Sequence, residues 1–173
     1  NPNGVLFVGD LSDGDLSITR TIKKIPINKS VILGNHDHGR DRTGSVLKKQ
    51  LEILGKTDCS WKLHRWTNPS FSVVGARPCS AGGGFYISRE VQSVFGPVSL
   101  QQSIDKIVLA GKKASRDYPL IILAHSGPSG LGSEAKSICG RDWKKPSIDW
   151  GDKDLSCAID TLRKIKKPEL VVF

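Results

Sequence analysis

Three apolar runs in the sequence end abruptly in side chains able to bind a metal or move a proton. "VLFVGD" delivers Asp10, "VILGNHDHGR" delivers Asn35, His36, Asp37 and His38, and "LIILAHSGP" delivers His125. A carboxylate, an amide oxygen and an imidazole, with no thiolate among them, form a donor set for a hard to borderline divalent cation. His36 and Asp37, which follow Asn35, are of the types that transfer protons. Taken singly, each stretch is also ordinary turn chemistry, because Gly, Asn and Asp favour turns. Their conjunction at three separate strand ends favours one shared site, since ligands of open α/β sheets bind beyond the carboxyl ends of strands.

The elements that would position these residues are short. Strands are expected at residues 5–8, 31–33, 71–74, 120–124 and 170–173, each a β-branched-rich apolar run that reads as buried on both faces. Helical patterns fall between them at 16–25, 43–55, 99–114 and in "DLSCAIDTLRKI" (154–165), with Ser99 as an N-cap and Gly55 as a stop. Leu100, Ile104, Ile107 and Val108 share one face of the third helix. This alternation implies an α/β core with mainly parallel pairing, to which Trp61–Val74 could add antiparallel strands. Two long Gly-, Ser- and Pro-rich regions, 75–98 and 126–151, interrupt it, and loops of that length inside a compact domain are often functional.

The "GD" of Asp10, the "GNHD" some 25 residues later and the "AHSGP" around His125 resemble successive blocks of the calcineurin-like metallophosphoesterases. "SVVGARPCSAGGG", "LAHSGPSGLGSEAKSICGRDW" and "WGDKDLSCAIDTL" are similar to the branch found in cyanobacteria and in plant and algal plastids. The resemblance covers nearly the whole chain. It implies a single domain over 1–173, a layered α/β/β/α sandwich incomplete at both ends. The function it implies is metal-dependent hydrolysis of a phosphate mono- or diester by metal-activated hydroxide at a dinuclear centre. By that resemblance Asp10 bridges two divalent ions (Mn, Fe, Zn or Mg), Asn35 and His125 bind the second, and His36 faces the phosphate, oriented by Asp37. Two ions about 3.5–4 Å apart suit in-line displacement at phosphorus. Proton transfer by a neighbouring histidine is typically worth roughly 10²–10⁴ in rate.

The family's first block (Asp-x-His) and last block (Gly-His-x-His) have no counterpart in these 173 residues. The chain alone is therefore expected to hold at most the second metal, weakly, and to have little activity; the full-length protein is the expected enzyme. Asp13 and Asp15 are read as caps of the helix near Leu16, and His38 as a solvated loop residue. Arg77 could reach a phosphate or form a structural salt bridge. Gly82 to Gly84 read as a loop at the site rim rather than a phosphate cradle, since no Gly-Lys-Ser/Thr ending follows.

A formal charge of +9 admits nucleic acid as a partner without favouring it, because the lysines fall in pairs at helix ends and on polar faces. A basic nucleic-acid-binding module, or a nuclease of the same fold, is the alternative to a phosphatase. Four scattered cysteines without a C-x-x-C pair indicate neither a zinc ribbon nor a disulfide framework, and Cys157 reads as a buried thiol. No run is long and apolar enough for a membrane span. A reducing compartment fits, cytoplasmic or, for a plant or alga, plastid.

Overall fold

A computed structural model describes residues 2–173. The chain runs β1 (Gly4–Phe7), α1 (Leu16–Lys24), β2 (Asn28–Val31), α2 (Ser45–Leu54), β3 (Leu63–Thr67), β4 (Ser70–Gly75), α3 (Arg89–Phe95), α4 (Leu100–Lys112), β5 (Leu120–Leu123), α5 (Lys153–Arg163) and β6 (Leu170–Val172). It is a mixed α/β fold with two sheets. β1 and β2 pair in parallel, and the second sheet has the order β3-β4-β5-β6, antiparallel only between β3 and β4.

That topology follows from the pattern of connections. β4, β5 and β6 pair in parallel and succeed one another through helical crossovers, and α4 and α5 pack together. Gly111 eases the packing: a Cβ there would lie 2.6 Å from Leu162 Cδ2, so a larger residue would force the leucine side chain to shift. Leu155, Ala158, Ile159 and Leu162 form the buried stripe of α5, at helical spacing. α1 packs on α2 in the same way beside the first sheet. Ser99 closes α4 in a capping box with Gln102, and Asp15 caps α1 by accepting the Ser17 N–H at 2.7 Å.

Two elements differ from the sequence expectation. β2 starts at the polar residues Asn28 and Lys29, because its ladder registers Gly4 to Phe7 against Asn28 to Val31. Ile32 and Leu33, expected as strand, continue as buried extended chain: Cys59 N–H donates to Val31 O and Cys79 N–H to Leu33 O. Inside the region expected to be loop, α3 forms a seven-residue helix opened by Ser88, whose hydroxyl accepts the Val91 N–H.

Several lysines serve helix and loop ends. Lys23 Nζ donates to Leu54 O at the end of α2, Lys29 Nζ to Ile25 O at the end of α1, and Lys166 Nζ to Tyr118 O. Carbonyls left over at helix ends attract such cations. All four cysteines are free, with Cys59 and Cys79 buried; Cys157, expected to be buried, is half-buried.

Candidate metal centre

β1 is followed by Val8, Gly9 and Asp10, and the chain turns there with φ of 96° at Gly9 and 52° at Asp10. The first angle needs glycine, and the second is unusual for a residue with a side chain. Gly9 also lies against the segment after β2: a Cβ on it would sit 2.6 Å from Gly34 N and from His125 Nδ1. A Cβ on Gly34 would collide with the Asp10 carboxylate and backbone. The two glycines thus let the loop after β1 and the loop after β2 touch, directly beside the histidine that follows β5.

Asp10, Asn35 and His125 meet at that contact. His125 Nδ1 lies 2.7 Å from Val8 O, an acceptor, so Nδ1 carries the proton and Nε2 faces the other way. Nε2 is 3.1 Å from Asn35 Oδ1 and 3.3 Å from Asp10 Oδ1. With Nε2 unprotonated, three electron-rich atoms converge, and none of their three side chains places a proton between them. Such a cluster suits a cation placed between the three atoms. The backbone clamp on the far ring nitrogen is the arrangement that orients metal-ligating histidines. Nitrogen and oxygen donors of this kind fit a divalent ion. Among the described residues no three His, Cys, Asp or Glu side chains group as a metal site; here the third donor is an amide oxygen.

The backbone frames this triad. His36 N–H donates to Asp10 Oδ1 at 3.0 Å, which ties the two loops and fixes the carboxylate. His36 itself is exposed, and its Nδ1 lies 3.3 Å from Asp13 Oδ1. Asp37, expected to orient His36, is turned the opposite way and is fully buried. Its Oδ1 accepts Leu11 N–H (2.8 Å), Ser12 N–H (2.7 Å) and the Ser12 hydroxyl (3.0 Å), while Oδ2 accepts Gly34 N–H (2.8 Å). An anion that satisfies three backbone donors is a clamp on both loops. The carboxylate near His36 is Asp13, which was expected to cap α1; Asp15 alone does that.

Arg77 is corrected more sharply. It is buried, with Nη2 on Asp152 Oδ1 at 2.6 Å, Nε on Asp154 Oδ2 at 3.0 Å and Nη1 on Tyr86 O. Buried and paired with two carboxylates, the guanidinium is turned away from any phosphate in the cleft, and the structural salt bridge is the alternative that holds. Burial pushes the Asp152 carboxyl up to about 7, against the pull of Arg77. The same loops hold Gly82 to Gly84 on the Trp150 segment: Gly83 N–H donates to Trp150 O and Gly84 N–H to Gly151 O, so these amides cradle no anion.

Asn35, His36, His38 and Arg40 line a cleft of about 290 Å³ that continues to Asp13, Cys79, Tyr86 and Ser88. His38, read as solvated, is half-buried here, with Nδ1 on Gly39 O at 2.7 Å. Neither the Val8 clamp on His125 nor the Asp13 contact had a signal in the sequence: one is a backbone carbonyl 117 residues away, the other an aspartate among several in "GDLSDGD".

Three strand ends thus converge on a cluster of nitrogen and oxygen donors, on a fold with two sheets. The calcineurin-like phosphoesterase family model matches residues 1–173, and the chain belongs to that family. No curated protein and no solved structure matches the chain. Phosphoester hydrolysis with divalent metal ions is the chemistry of the family.

Proposed function

We propose that Asp10, Asn35 and His125 hold one divalent ion of a dinuclear centre that hydrolyses a phosphate mono- or diester, with Asp10 shared between the two ions. The observation that supports this reading is the orientation of His125: its proton is committed to Val8 O, and its free nitrogen faces Asn35 Oδ1 and Asp10 Oδ1. The ions, when bound, supply Lewis acidity to the phosphoryl group and to a water.

The side chains of this chain do the rest. His36, exposed beside Asn35 at the mouth of the cleft, carries the proton to the leaving oxygen. The bond from phosphorus to that oxygen breaks, the water oxygen bonds to phosphorus, and one water proton is released. Asp13 Oδ1 lies 3.3 Å from His36 Nδ1, within reach to orient the ring. Asp37 positions both loops through the backbone and takes no part in proton transfer.

The test is hydrolysis of a generic aryl phosphate with added Mn²⁺ by the full-length protein. Asn35→Ala and His125→Ala are each expected to abolish turnover, while His36→Ala lowers kcat and leaves metal binding unchanged. Undiminished turnover in both ligand variants contradicts the reading. Steeply salt-dependent binding of DNA or RNA without turnover favours a nucleic-acid-binding module instead.

A further inference from the structure

The cleft of about 290 Å³ beside Asn35 and His36 contains two groups that the hydrolytic reading does not use, Arg40 and Tyr86. Arg40 has no carboxylate within ion-pair distance among the described residues. Its neighbour Asp41 is not available to it. That carboxylate accepts the Thr43 hydroxyl (3.0 Å), Gly44 N–H (3.1 Å), Val46 N–H (3.2 Å) and the Ser45 hydroxyl at the start of α2, and these bonds pull it down to about 2. Asp13, the carboxylate in the cleft, faces His36. The guanidinium is therefore a cation with unfilled donors at a site open to ligand.

Tyr86 is 63% exposed and lines the cleft. Its backbone is not free: Tyr86 O accepts from Arg77, which Asp152 and Asp154 hold in the core. The ring is thus presented on a fixed loop. A planar face and a free guanidinium at one cleft are complementary to a ring that bears an anion. The cleft is also where the leaving group must lie, because His36 stands at its mouth and delivers its proton to the leaving oxygen.

Resting on that hydrolytic reading, we propose that the substrate is a phosphoester whose leaving group carries a second anionic substituent on a planar ring, the anion being held by Arg40 and the ring by Tyr86. The chemistry recognised is a phosphate or carboxylate set about one ring away from the scissile phosphorus. A single ring suits a cleft of this size, which is at the small end of ligand pockets.

Phenyl phosphate and 3-carboxyphenyl phosphate, compared on the full-length protein with Mn²⁺, test the proposal. The carboxylated ester is expected to show at least a tenfold higher kcat/KM, carried by KM. Arg40→Ala should erase that preference, and Arg40→Glu should reverse it. Tyr86→Ala should raise KM for both esters alike. Equal kcat/KM for the two esters, or a preference that survives Arg40→Ala, overturns the proposal. Calorimetric binding of 3-carboxyphenyl phosphate to the metal-free protein separates this from the hydrolytic reading. If neither ester is turned over, that reading falls; binding that is lost in Arg40→Ala still supports the anion site, and binding indifferent to it overturns the site.

Discussion

Two loop systems leave the carboxyl ends of the strands, and they are held by opposite means. The loops after β1 and β2 are joined through one carboxylate, Asp37, that accepts three backbone N–H groups and a hydroxyl. Those after β4 and β5 are joined through the buried Arg77 with Asp152 and Asp154, extended by Ser80 and Ser103 at 2.6 and 2.5 Å. In the first system the bonding carboxylate is two residues from Asn35, and the chemical groups Asp10 and His36 are exposed. In the second the ionic groups are themselves the fastening and face no solvent. Charge buried without pairing is costly, whereas charge left in an open cleft is available to ligand. The same residue types therefore serve stability in one region and chemistry in the other, and burial separates the two.

The largest effect that breaks this contrast comes from the buried side. Arg77→Ala leaves Asp152 and Asp154 in the core without a counter-ion and should cost about 3–5 kcal/mol, read as a lowered urea midpoint. Asp37→Ala should cost about 3 kcal/mol by stranding Leu11, Ser12 and Gly34 N–H groups. It should also weaken metal binding, because both loops lose their clamp. His36→Ala should leave the urea midpoint unchanged and lower kcat by roughly 10²-fold. A drop in stability equal to that of Asp37→Ala would remove the distinction between the two neighbours.

A smaller effect sharpens the contrast through pH. Asp152 is raised from 3.8 to about 7 in the folded protein by burial, so between those values the native state keeps a proton that the unfolded chain releases. Its contribution to stability is full below about pH 4 and declines as pH rises to about 7, then stays level. Asp152→Asn should flatten that slope in urea titrations taken at several pH values. A slope unchanged by the substitution would show that Asp152 titrates as an ordinary surface carboxylate.

The donor types at Asp10, Asn35 and His125 were legible because each ends an apolar run, and a strand end has a direction that sequence can show. Roles that depend on which way a side chain turns were not. Asp37 follows His36 in the chain, yet the turn after β2 directs one inward and the other outward. Arg77 and its carboxylates are 75 and 77 residues apart, beyond any local pattern, so a buried ion pair and a phosphate contact looked alike. β3 was anticipated as antiparallel from the Trp61–Val74 stretch. α3 stayed hidden because seven residues amid Gly, Ser and Pro give too little periodicity. The polar start of β2 was invisible for a different reason: backbone pairing with β1, rather than hydropathy, makes it a strand.

The most direct test of the account is Mn²⁺ binding to this chain by isothermal calorimetry, compared between the native sequence, His125→Ala and Asn35→Ala. A single weak site is expected in the native chain, lost in both variants, with Asp13→Asn binding as the native chain does. Equal Mn²⁺ binding in all four proteins would contradict the assignment of Asp10, Asn35 and His125 as the metal wall of the site.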